Sequence, residues 1–88
     1  MTTIQEISVG TVSLAVGGDS TSRDLIIQSL QGPIYNLALR MLLSPPDAED
    51  ATQEALLKIL AKLSTFEGSS KFSTWAWTVA SRAILDYR

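Results

Sequence analysis

The stretch Asp47-Ala48-Glu49-Asp50-Ala51-Thr52-Gln53-Glu54 opens the segment that decides the fold. From it, Ala48, Ala51, Ala55, Ile59 and Leu63 recur three and four residues apart, widened by Leu56 and Leu60. That spacing predicts a helix with one buried stripe. Asp47, Glu49 and Asp50 sit at the end where the helix dipole favours negative charge, and Lys58 and Lys62 lie toward the other. Glu54 precedes Lys58 by one turn in the favourable order, a pair worth ~0.3 kcal/mol. Ser44 and Asp47 are both candidate caps, each followed three residues on by an acid as in a capping box. Asp50, Gln53 and Glu54 project opposite the alanine stripe. Such acids ordinarily complement the dipole on a solvated face; the other use of a carboxylate patch is to receive the arginines of a partner helix.

Downstream, Phe66-Glu67-Gly68-Ser69-Ser70 reads as a loop, with Gly68 giving the backbone freedom and Ser69 or Ser70 capping the next helix. On that last predicted helix Phe72, Trp75, Ala76, Val79, Ala80, Ala83, Ile84 and Tyr87 keep the spacing of a core face, while Thr74, Trp77, Thr78, Ser81, Arg82 and Leu85 fall on the other side. Trp75 is read as core. Trp77 lies about 200° further round the helix, where an aromatic ring beside hydroxyls and a cation either packs on another segment or stacks on an unpaired base. No helix-stop signal precedes Arg88, which reads as the edge of a longer protein.

Upstream, Ser44-Pro45-Pro46 ends a preceding helix. Leu25, Ile26, Ile27 and Leu30 give its first piece, and Ile34, Leu37, Ala38, Met41 and Leu42 its second. Gly32-Pro33 between them predicts a break or kink, since proline lacks the helix donor and crowds the preceding turn. Asp19, Ser20, Thr21 and Ser22 offer N-caps. Before them, Ile7-Ser8-Val9 and Val12-Ser13-Leu14 alternate as a weak strand does, interrupted by Gly10, Gly17 and Gly18. An isolated hairpin is marginal in water, so residues 1–20 are expected to form a flexible extension, the alternative being a short segment docked on the helices. The fold class expected is all-α, a small bundle of three to four helices.

Composition narrows the function. Eighty-eight residues with 45% apolar content make one small globular domain. A formal net charge of −2 argues against tight autonomous binding to duplex DNA. There is no Cys and no His, hence no disulfide framework, no ordinary zinc site and no histidine acid–base group. No enzyme activity, metal or cofactor is expected. No apolar run is long enough for a membrane span, and Ile7 to Val16 lacks the basic start of a signal peptide; a cytoplasmic protein is the simplest expectation.

The ordered set Asp47-Ala48-Glu49-Asp50, Gln53-Glu54, Phe66-Glu67-Gly68, Phe72-Ser73-Thr74-Trp75 and Leu85-Asp86-Tyr87-Arg88 resembles region 2 of the bacterial sigma-70 family, of the short extracytoplasmic-function (ECF) type. The resemblance covers residues 23–88: region 2.1 at about 23–43, region 2.2 at about 47–65 and regions 2.3 and 2.4 at about 66–88. It implies a transcription-initiation module with RNA polymerase core, promoter −10 DNA and an anti-sigma factor as partners. Region 2.2 of the family docks on the clamp helices of the beta-prime subunit, so Asp50, Gln53, Glu54, Leu57 and Lys58 are the implied core contacts. The loop and the following helix capture the non-template strand of the −10 element. That implies DNA contacts from Phe66, Ser69, Ser70, Lys71, Thr74, Trp77, Thr78, Ser81, Arg82 and Arg88. Family members often carry basic residues where Thr78 and Ser81 stand here. This departure supports a rival reading, an interaction module that binds an anti-sigma factor without acting on DNA. Region 4, the promoter-distal reader, has no counterpart in these residues, and residues 1–20 match nothing in the family pattern.

Overall fold

A computed structural model of the chain describes residues 6–87. Four α-helices run in order: α1 (Val9–Val16), α2 (Ser20–Leu42), α3 (Pro45–Lys62), which tightens into a 3-10 turn at Leu63–Thr65, and α4 (Phe72–Tyr87). The described residues contain no strand, so the all-α bundle expected from the periodicities is what forms.

The central packing is α3 between α2 and α4. Ile26, Leu30, Ile34 and Ala38 of α2 meet Ala48, Ala51, Ala55 and Ile59 of α3, and Phe72, Ala76, Ala80 and Ile84 of α4 close the other side, all buried. The alanines carry little bulk, so the helices approach closely around the few large side chains. Burying each of those large residues contributes about 1.5–3 kcal/mol relative to leaving it exposed. The one buried hydroxyl on α3, that of Thr52, donates to the Ala48 carbonyl at 2.6 Å and so is satisfied within its own helix.

The starts of α2 and α3 follow caps read in the sequence. The Asp19 carboxylate accepts from the Ser22 N–H at 2.9 Å and from the Ser22 hydroxyl at 2.6 Å. Ser44 caps α3, with Pro45 and Pro46 in the first turn, where a missing N–H costs nothing. Leu43 ends α2 in the left-handed conformation at φ 59°, its side chain 83% exposed.

Two readings of the sequence are narrowed by the structure. Of the break or kink expected at Gly32-Pro33, the break does not occur: α2 is continuous there, with Pro33 inside the helix and buried. Pro33 forfeits one backbone bond, but Leu30 and Ile34 on either side of it are completely buried. A break would pull part of that stripe out of the core, and burial of the stripe outweighs the lost bond. For the segment read as a flexible, weakly strand-like extension, the docked alternative is what forms: it makes α1 and packs on α2 and on the 3-10 turn. A lone strand here has no sheet to pair its backbone groups, whereas a helix satisfies them internally. Ser8 accepts from the Thr11 N–H at 3.1 Å to start it, and Val12 and Ala15, one turn apart, are its buried contacts. Residues 1–5 of the expected extension lie outside the described residues.

Candidate functional site

The residues singled out on α3 form one continuous outward stripe. Asp50, Gln53, Glu54, Leu57 and Lys58 are all exposed while Ala51, Ala55 and Ile59 between them are buried. Their spacing of three and four residues places them on one helix face. Leu57, 66% exposed, is an apolar point in an otherwise charged surface.

Two contacts fix the edges of this stripe. The Tyr87 hydroxyl donates to Asp50 Oδ2 at 3.3 Å, and Lys58 Nζ lies 3.9 Å from Asp86 Oδ2. Lys58 therefore pairs across to α4 rather than with Glu54 on its own helix. Desolvation pushes the Tyr87 hydroxyl above the usual tyrosine value, and the charges of Asp50, Asp47 and Glu54 add to it. The phenol thus registers the negative field of the α3 start.

Beside the stripe, α2 and α3 enclose an open depression of about 530 Å³ lined by Gln31, Gly32, Tyr35, Glu49, Asp50, Thr52 and Gln53. The expected break at Gly32 hid the α2 side of this surface. With α2 continuous, Gln31 and Tyr35 stand one turn apart and border Asp50 and Gln53.

The second surface is the loop before α4 and the outward side of that helix. Glu67 to Lys71 are exposed, as are Thr74, Thr78 and Arg82; Trp77 and Ser81 are half-buried. Gly68 turns the loop at φ 79°, the left-handed region that glycine enters without a side-chain clash. Phe66 faces the protein. Its ring meets Phe72 edge-on at 5.4 Å between centroids and Trp75 at 5.5 Å. Trp75 packs against the core through this cluster, as its position on the stripe predicts. The Thr78 hydroxyl donates to the Thr74 carbonyl at 3.1 Å and that of Ser81 to the Trp77 carbonyl at 2.8 Å. Arg88 lies outside the described residues.

Sequence reasoning missed one residue altogether. Ser69 and Ser70 stay in the loop, and the first N–H groups of α4 are received by Glu6. Its Oε2 accepts from the Phe72 N–H at 3.0 Å and its Oε1 from the Ser73 N–H at 3.3 Å. The Ser73 hydroxyl, then the two backbone N–H groups, hold the Glu6 carboxyl below the usual carboxylate range against desolvation, with the Lys71 charge adding to the effect. Nothing local in the sequence points from Glu6 to a helix so far along the chain.

Among the described residues no group of His, Cys, Asp or Glu could hold a metal ion, and no helix is long and apolar enough to cross a membrane.

The family model for sigma-70 region 2 matches residues 26–88, taking in both surfaces. The chain belongs to the sigma-70 family. Its curated relatives place this sigma-70 region 2 domain with the ECF type. It is 33% identical over 69 residues to the ECF RNA polymerase sigma factor SigW of Bacillus subtilis, covering 78% of this chain and 37% of that protein. It is 35% identical over 63 residues to the RNA polymerase sigma-H factor of Pseudomonas aeruginosa, covering 72% and 33%. It is 31% identical over 70 residues to the ECF RNA polymerase sigma-E factor of Escherichia coli, covering 80% and 36%. The chain thus spans about a third of the length of the curated relatives it matches. No solved structure matches it.

Proposed function

We propose that this domain acts in transcription initiation by docking on RNA polymerase core and, held there, recognising and melting the promoter −10 element. Asp50, Gln53, Glu54, Leu57 and Lys58 form the docking face toward the beta-prime clamp helices. Ser69, Ser70 and Lys71, with Thr74, Trp77, Thr78, Ser81, Arg82 and Arg88, form the strand-reading face, and Phe66 supports it from beneath. The observation that carries this reading is the continuous exposed stripe on α3, which carries two carboxylates and an exposed leucine. Carboxylates receive arginine in forked, charge-assisted pairs, and Leu57 supplies apolar area beside them.

Docking also explains how an acidic domain acts on DNA. Binding to core raises the local concentration of the strand-reading face at the promoter, so that few cations suffice. A flipped or unpaired base is then held by stacking on an aromatic face, about 1–3 kcal/mol per base, with Lys71 and Arg82 placed for phosphates.

The experiment is core binding by the Glu54→Lys variant. Its expected result is loss of binding with the helical fold retained, because Glu54 is exposed; binding equal to wild type refutes the docking face. A second reading, an anti-sigma-binding module that leaves DNA alone, draws on the Thr78 and Ser81 hydroxyls, which bond back onto their own helix. Retention of single-stranded promoter DNA by the domain–core complex rejects that reading, and its absence alongside tight anti-sigma binding favours it.

A further inference from the structure

The loop proposed to read DNA is held at both ends: at the far end by a group from the N-terminal segment, and at the near end by aromatic contacts to α4, with α1 alongside. At its far end, the Trp75 N–H bonds to the Lys71 carbonyl, which makes Lys71 the capping position of α4. A lysine side chain has no acceptor for the free N–H groups of the first turn. Glu6 supplies that acceptor across 66 residues of sequence. At the near end, Phe66 is locked between Phe72 and Trp75. Val9, Val12, Ser13 and Val16 of α1 face Phe66 and Leu63 across a cleft of about 210 Å³. In the loop itself, Val9 Cγ2 lies only 3.7 Å from where a Cβ on Gly68 would stand.

We infer that Glu6 and α1 form a clasp that sets the geometry of the Glu67–Lys71 loop, making Glu6 a positioning residue for capture of the unpaired strand. The inference rests on the function proposed above. A loop anchored at both ends has fewer conformations to lose when a base enters it, and a preorganised site discriminates better than one that must order on binding. The clasp acts locally. Glu6 touches the first turn of α4, whereas the Asp50 contact is made by Tyr87 at the other end, about 22 Å away at the helical rise. Disturbing Glu6 therefore should alter strand reading and leave docking on core intact.

Glu6 also stands near the Lys71 charge, so two variants separate geometry from charge. Glu6→Ala removes the acceptor; Glu6→Gln keeps one acceptor oxygen and removes the charge. The probe is a non-template strand selected from a randomised single-stranded pool by the wild-type domain–core complex, compared with the unselected pool. Three results are expected together: unchanged core binding, a selected-to-unselected retention ratio roughly fivefold lower in Glu6→Ala, the scale of a lost helix cap, and a smaller fall in Glu6→Gln. An unchanged ratio in Glu6→Ala overturns the inference, as does equal behaviour of the two variants with tighter binding to both pools, which would mark a charge effect alone. Loss of core binding in Glu6→Ala also overturns it, making Glu6 a residue of general stability. If the wild-type complex retains no strand at all, the function proposed above fails and the inference falls with it.

Discussion

Tyr87 donates its hydroxyl proton to Asp50 Oδ2 over 3.3 Å, tying the last turn of α4 to the start of α3. The exposed stripe on α3 is therefore joined to the end of α4 at this bond, with Lys58 and Asp86 3.9 Å apart beside it. The Asp50 side chain is thus oriented by α4, the helix proposed to read DNA.

Removing that bond should weaken docking without unfolding the domain. Tyr87→Phe keeps the ring on the core and deletes the hydroxyl. The expected outcome is a small loss of affinity for polymerase core and an unchanged helical spectrum, measured by titration and circular dichroism. Since the raised Tyr87 value favours the neutral phenol, the bond persists below the ordinary tyrosine range and is lost as pH rises through the shifted one, where tyrosinate faces Asp50, Asp47 and Glu54. An NMR titration of the Tyr87 ring in the alkaline range checks this.

The two tryptophans should separate cleanly. Trp75 stacks with Phe66 and Phe72, so Trp75→Ala should cost about 2–4 kcal/mol of stability, read as a fall in melting temperature. Trp77 lies on the outward side of α4. Trp77→Ala should lower melting less and weaken retention of the single strand by the domain–core complex by about 1–3 kcal/mol. A larger melting loss for Trp77 than for Trp75 would place Trp77 in the core.

Acid should open the N-terminal clasp only below the range in which ordinary carboxylates protonate. Glu6 and Asp19 are both held below the usual carboxylate range, Glu6 first by Ser73 and Asp19 by Ser22. Stability from such groups is present above their unfolded values and is lost as pH falls through the lowered folded ones. Protection of the Phe72 and Ser73 amides from hydrogen exchange, relative to the intrinsic rate at each pH, should therefore fall below the ordinary carboxylate range, and in Glu6→Gln the acid dependence of protection at these two amides should flatten.

Leu43 holds a left-handed backbone at φ 59° with its side chain in solvent. Glycine enters that region without the side-chain penalty and is the usual residue just past a helix end. Leu43→Gly should raise stability by about 1 kcal/mol, measured by denaturant midpoint with an unchanged slope.

What was legible in the sequence was whatever repeats locally. The Ala48, Ala51, Ala55, Ile59 stripe is uninterrupted, so α3 and its exposed face could be read directly. The reading failed where local chemistry and tertiary packing disagree. Gly32-Pro33 carries a strong breaker signal, yet Leu30 and Ile34 keep α2 intact by burial. In α1, Val and Ser alternate like a strand, and only the surface offered by α2 and the 3-10 turn makes Val12 and Ala15 the residues that count. The Glu6 cap was beyond reach for a different reason: its partners are 66 and 67 residues away, and no periodicity links them. Of the two candidate surfaces, the exposed stripe on α3 lies within one helix, so its exposure was legible. The helix that follows the Phe66–Lys71 loop is capped by a segment that reads as an appendage.

The most direct test of the docking face is an NMR titration of this chain with a beta-prime clamp-helix fragment. Shifts confined to Asp50, Gln53, Glu54, Leu57 and Lys58, with smaller ones at Asp86 and Tyr87, are the expected result. A well-folded domain showing no shifts at high fragment concentration, or shifts centred on α1, would contradict the assignment.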